Sequence, residues 1–284
     1  MELGPGAPPR RESSVEQLLP ISYGDEKTRT GTDLTGHLDL AVQALSRRLQ
    51  DPLLANRLAA IEALEMILSP LASIPDVPAR KKAEIDKMFS PATQIAAIHA
   101  LLDAMQDTNP RSRYVRWVAA RTLGKVGPIE SDQVQRVVVA ALAQRVSDED
   151  LGIRRAAATA LANFGNVAGD ARPALAWAVV RGGDTEVRLA AIRAVAAIGE
   201  ATDPVIDALA DSLTASKMDI RKEAARALGA VDTSRARKEQ SAAFQKATDA
   251  LLRVMATDQD SEFRALASTA VLQMRSPARP RKGL

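Results

Sequence analysis

The chain is 284 residues long, has no cysteine and a formal net charge of only +3, and is 46% hydrophobic yet 3% aromatic. The absence of cysteine excludes disulfides, thiolate metal sites and cysteine nucleophiles, and so small a charge excess does not in itself indicate a nucleic-acid partner. An alanine-dominated apolar fraction, short of the rings that bury the largest areas, points to closely packed helices rather than one large globular core.

In chain order, residues 1–34, opening MELGPGAPPRRESSVEQLLP, are expected to be disordered. They contain no apolar core of signal-peptide length, and no apolar run approaches the roughly 20 residues of a membrane span. A soluble, cytoplasmic, monomeric protein is expected. A repeat array is expected over residues 35–275. A helical pattern runs from Leu38 to Leu49, followed by NRLAAIEAL from Asn56. The stretch 69–91, with four prolines, reads as an insertion: an exposed loop with a short helix around Ala83 to Met88. Ala92 to Met105 is helical and leads to VRWVAARTL from Val115; Val134 to Val146 leads to IRRAAATAL from Ile153. LAWAVV after Pro173 precedes VRLAAIRAV from Val187, and VIDALADSL after Pro204 precedes IRKEAARAL from Ile220. Ala242 to Met255 precedes FRALASTAV from Phe263, and residues 276–284 form a basic tail. No segment shows sustained two-residue alternation, so no sheet is expected.

Six of these segments are copies of one pattern, with arginine second and a branched or leucine residue ninth. The arginines are Arg57, Arg116, Arg154, Arg188, Arg221 and Arg264, at spacings of 59, 38, 34, 33 and 43. Such self-similarity marks a repeat architecture of helix–turn–helix units. Asp150, Asp184 and Asp260 stand four residues before their arginines, where a carboxylate can cap a helix N-terminus for ~1 kcal/mol. The fifth copy has Lys217 at that place, and Glu223 is read as supplying the missing carboxylate from inside the helix.

The pattern Asp-x-x-Val-Arg-x-Ala-Ala-x-x-Ala-Leu, with a glycine soon after, resembles HEAT repeats, and particularly the short subtype of phycobilisome lyases. The resemblance covers roughly residues 37–275 and implies an all-α solenoid of about six antiparallel helix pairs. It implies that the aspartate of one repeat and the arginine of an adjacent one form a polar ladder, so that Arg188 meets Asp150, or Asp184 meets a neighbouring arginine. It also implies that the second helix of each pair lines a concave surface.

Chemistry is hard to find. The HEAT-repeat hydroxylase needs paired His-Glu motifs, and neither His37 nor His99 belongs to one. Gly124-Lys125 lacks the rest of a phosphate loop. No nucleophile, metal-ligand or dinucleotide spacing stands out, so no catalytic residue, metal or cofactor is expected. A bilin-lyase-like enzyme is the weakest reading, since eight scattered aromatics make a poor chromophore cleft.

Binding is the better reading. Counting from the residue before each arginine, third and seventh places should face the concave surface. Third place holds Leu58, Trp117, Arg155, Leu189, Lys222 and Ala265; seventh holds Glu62, Arg121, Thr159, Arg193, Arg226 and Thr269. With Lys125 one turn beyond Arg121, the candidate partner-binding residues are Trp117, Arg121, Lys125, Arg155, Arg193, Lys222 and Arg226. This basic stripe suits a partner protein or acidic peptide. Trp117 is either a contact or a cover for the gap left by the insertion, and Trp177, in an apolar run, is expected in the core. The alternative is a nucleic-acid-binding array, which ranks lower for want of stacking aromatics.

Overall fold

The computed structural model describes residues 34–68 and 90–276. The expected N-terminal segment, nearly all of the 69–91 insertion with its short helix, and the tail beyond Ser276 lie outside the described residues. The chain divides into two compact units, residues 1–97 and 98–284.

In the first unit, α1 (Leu34–Arg48) pairs with α2 (Leu54–Leu68). Val42, Leu45, Leu49, Ala60, Ile61, Leu64 and Ile67 are buried. Asp51 organises the turn between the helices, accepting from the Leu53 amide at 2.8 Å and the Asn56 side-chain amide at 3.0 Å. The next helix, α3 (Pro91–Gln106), crosses the boundary between the units.

The second unit continues with α4 (Arg113–Val126), α5 (Asp132–Arg145), α6 (Leu151–Phe164), α7 (Arg172–Arg181) and α8 (Thr185–Ile198). It ends with α9 (Asp203–Ser212), α10 (Met218–Ala230), the short α11 (Ser234–Lys238), α12 (Ala242–Thr257) and α13 (Ser261–Arg275). Every helix expected within the described residues is present, and the six arginine copies lie on α2, α4, α6, α8, α10 and α13. Among the described residues there is no strand, only an isolated bridge between Glu200 and Asp232. A 3₁₀ segment (Gly165–Ala171), not legible in the periodicity, wedges between α5 and α7.

The unit is an α-solenoid with two helix layers. In one, α4, α6, α8, α10 and α13 pack in succession; in the other, α7, α9 and α12 do. Alanine explains the spacing. Ala156, Ala157, Ala158 and Ala160 of α6 are all buried, and a Cβ at Gly124 of α4 would meet Ala160 Cα and Cβ at 2.7 Å. Helices this close leave no room for rings, which is why the core needs few aromatics. Gly124 is therefore a packing residue inside a helix, not part of a phosphate loop. In α8, Val187, Ala190, Ala191, Ala194 and Val195 are buried as one stripe, and Leu189, Ile192 and Ile198 join them. A helix flanked on both sides by neighbours buries more than one face.

Two expectations fail here. Trp177 is not core: it is 39% exposed on α7, on a side of the helix that its neighbours leave uncovered. Leu189, expected on the open face, is buried, because α8 is tightly enclosed in the stack.

Candidate binding surface

The aspartates cap as expected. Asp150 accepts from the Gly152 and Ile153 amides at 2.8 and 3.1 Å, Asp184 from Glu186 at 3.3 Å, and Asp260 from Phe263 at 2.7 Å. The arginine ladder, however, does not run to them. Arg188 makes no ion pair with Asp150 or Asp184; its Nε donates to Val179 O at 2.7 Å and its Nη2 to Ser212 Oγ at 3.4 Å. Arg116 and Arg264 likewise donate to carbonyls at the end of the preceding helix or its turn: Asp107 O at 2.9 Å and Asp258 O at 2.8 Å. A guanidinium placed there satisfies orphan carbonyls and complements the helix dipole. The carboxylates that meet these register arginines across repeats stand six residues before the next arginine, not four. Arg116 meets Asp148 at 4.0 Å, and Arg221 meets Asp258 at 3.8 Å. At the two middle joints the corresponding residues are Gly182 and Ala215. Asp148 and Asp258 each accept the amide of the capping aspartate through Oδ1, at 3.0 and 2.9 Å, and turn Oδ2 to the arginine of the preceding repeat.

The structure divides the candidate binding residues into two sets. Toward the C-terminus they are paired. Arg193 meets Glu223 at 3.2 Å; Arg226 meets Glu223 at 3.2 Å and Glu262 at 3.3 Å; Lys222 meets Asp260 at 3.0 Å and Glu262 at 2.5 Å. Glu223 does supply a carboxylate, but to seventh-place arginines rather than to the joint. Hydrogen bonds from Lys222 to Glu262 and then to Asp260 hold its ammonium pKa above the usual lysine value. The Phe263 amide first, and Lys222 second, hold the Asp260 carboxyl below the usual aspartate value.

On α4 and α6 the face is different. Tyr114 and Trp117 are stacked with ring centroids 5.2 Å apart, and the Arg121 guanidinium lies 4.9 Å from the Trp117 centroid. These residues stand at i, i+3 and i+7, one stripe of a helix. Across from them is Arg155, exposed on α6. A cleft of about 310 Å³ lies between, lined by Arg113, Tyr114, Trp117, Asp150, Gly152 and Arg155. Lys125 is exposed one turn beyond Arg121. Trp117, half-buried, is thus a wall of an open cleft.

Sequence reasoning missed Tyr114, Arg113 and Glu262, and read Asp260 as a cap and an arginine partner rather than as the partner of Lys222. The signal was available one helical turn before third place. That position holds Tyr114, Gly152, Glu186, Asp219 and Glu262. In the five copies from α4 onward its first two members are aromatic or empty, and its last three are acidic. Reading only third and seventh places therefore overstated the positive charge beyond α6.

Among the described residues, no group of three or more histidines, aspartates and glutamates could hold a metal ion, and no helix is long and apolar enough to cross a membrane. No curated protein matches the chain. A solved engineered protein of the Northeast Structural Genomics Consortium is similar over 82% of this chain and 96% of its own, with a TM-score of 0.55 and 24% identity. A designed armadillo repeat protein in complex with the peptide (KR)4 is similar over 84% and 99%, with a TM-score of 0.53 and 16% identity. Both likenesses concern the fold. The family model for HEAT repeats matches residues 139–229 and 172–272. With the recurrent arginine register and the stacked helix pairs, the family-model matches identify residues 139–272 as HEAT repeats.

Proposed function

We propose that the chain is a non-catalytic scaffold that binds an acidic segment of a partner protein along its second helices, chiefly on α4 and α6. The observation carrying this reading is the contrast along that face. Arg193, Lys222 and Arg226 are neutralised by carboxylates of the same chain, whereas Arg121 and Arg155 stand beside an aromatic pair and an open cleft. Guanidinium groups free to form bidentate bonds recognise carboxylates well, and tryptophan and arginine are enriched among binding hot spots. The designed armadillo neighbour holds a basic peptide; the charge on this chain favours the opposite sign.

The Tyr114–Trp117 stack also suits a nucleobase, which makes single-stranded nucleic acid the second reading. It ranks lower because a phosphate backbone needs a continuous basic track, and beyond α6 this face presents Glu186, Asp219 and Glu262.

Capture of partners by the immobilised chain, with and without nuclease, tests the reading. Arg121→Glu with Arg155→Glu should abolish capture while leaving the helical signal and melting temperature nearly unchanged, and capture should weaken as salt screens exposed charge beyond ~8–10 Å. Equal capture by the double variant, or loss on nuclease treatment, refutes it.

A further inference from the structure

We infer that the cleft between α4 and α6 is a specificity pocket for an acidic residue adjacent to a ring-bearing residue in an extended peptide. The inference rests on the acidic-partner reading above and adds to it the sequence that the surface selects.

Three features of the cleft argue for this occupant. First, its charge is positive and uncommitted. Arg113 and Arg155 line it, both exposed, and Arg121 lies over the ring of the lining residue Trp117. The one acidic lining residue, Asp150, is occupied: its Oδ1 accepts from both the Gly152 and Ile153 amides. A carboxylate entering the cleft therefore meets two guanidinium groups, Arg113 and Arg155, against one acid whose charge is held by helix amides. Second, one wall is aromatic. Tyr114 is 48% exposed and stacks on Trp117 with 27° between the ring planes, so a flat apolar ring can extend the stack while its neighbouring carboxylate reaches Arg155. Arg121 over the indole strengthens the wall by a cation–π contact. Third, Gly152 keeps the floor open. A Cβ there would meet Trp117 Cδ1 at 3.5 Å and Asp150 Oδ1 at 3.0 Å, so any larger side chain would fill the space beside the indole. The volume, about 310 Å³, is at the lower end of ligand-sized pockets and suits one or two side chains rather than a folded element.

The test uses the full chain carrying Trp177→Phe, which leaves Trp117 as its sole tryptophan. Its emission and a calorimetric titration are followed with a short capped peptide of glycine, glutamate and one phenylalanine flanked by glutamates. Controls are the same peptide with serine for phenylalanine, the same peptide with lysine for glutamate, and oligothymidylate. Saturable binding with a shift in Trp117 emission is expected for the glutamate–phenylalanine peptide, about tenfold weaker binding for the serine peptide, as for one lost anchor, and none for the lysine peptide. Arg155→Glu and Tyr114→Ala, both at exposed positions, should each weaken the first peptide at least tenfold. If that peptide binds but ignores both substitutions, and is weakened instead by Arg193→Glu with Arg226→Glu, the pocket is refuted while the acidic-partner reading stands. If oligothymidylate binds and no acidic peptide does, or if no probe binds, both are refuted.

Discussion

Arg221 stands 3.8 Å from Asp258 of the following repeat, and Arg116 stands in the same relation to Asp148 at 4.0 Å. The joints between these are built differently. Arg188 reaches only Val179 O and Ser212 Oγ, and burial lowers its pKa below the usual arginine value. Replacing Arg188 with alanine should destabilise the protein by about 1–3 kcal/mol, since a helix-end carbonyl loses its donor. Conversely, Ala215→Asp places a carboxylate where Asp258 and Asp148 stand in their repeats, and should stabilise by about 0.2–1 kcal/mol. Urea unfolding of both variants checks this. A neutral Arg188→Ala would show that the arginines are not joints.

The Glu262 carboxylate holds both Lys222 and Arg226, and it is 61% exposed. Glu262→Gln should therefore change stability by less than about 0.5 kcal/mol, as surface substitutions do. It should also leave Lys222 and Arg226 with one carboxylate partner each, Asp260 and Glu223, and strengthen binding of a long acidic probe that reaches α10. Titration with poly-glutamate against wild type and variant measures the effect; no gain in affinity would mean that the paired half of the face lies outside the binding path.

Asp260 predicts an acid dependence. Its folded-state pKa lies below the ordinary aspartate value of 3.8, so it contributes stability that is present above that value and is lost as pH falls through the lowered one. Lys222 behaves oppositely: its raised pKa contributes stability that is present below the ordinary lysine value of 10.5 and is lost as pH rises through the raised one. Asp260→Asn keeps a capping side chain but removes the charge. Melting temperatures measured from neutral pH down to about pH 2 should fall less steeply for the variant than for wild type. Parallel curves would show that the Lys222–Asp260 pair contributes nothing measurable.

The repeat architecture was legible in the sequence because it depends on local and periodic features. Arg57, Arg116, Arg154, Arg188, Arg221 and Arg264 mark the same turn of the same helix six times, Asp150, Asp184 and Asp260 announce the helix starts, and alanine at fixed places announces close packing. The tertiary structure decided which charges are available. Glu223 and Glu262 neutralise Arg193, Lys222 and Arg226 from sequence distances of 3 to 40 residues, and a count of cations along one stripe does not register partners on another helix. It also decided that Asp148 and Asp258 meet the register arginines Arg116 and Arg221, while the capping Asp260 reaches Lys222 instead. Trp117 became a cleft wall and Trp177 an exposed ring for a similar reason: apolar periodicity marks a helix, but only the neighbouring repeats determine how many of its faces are covered.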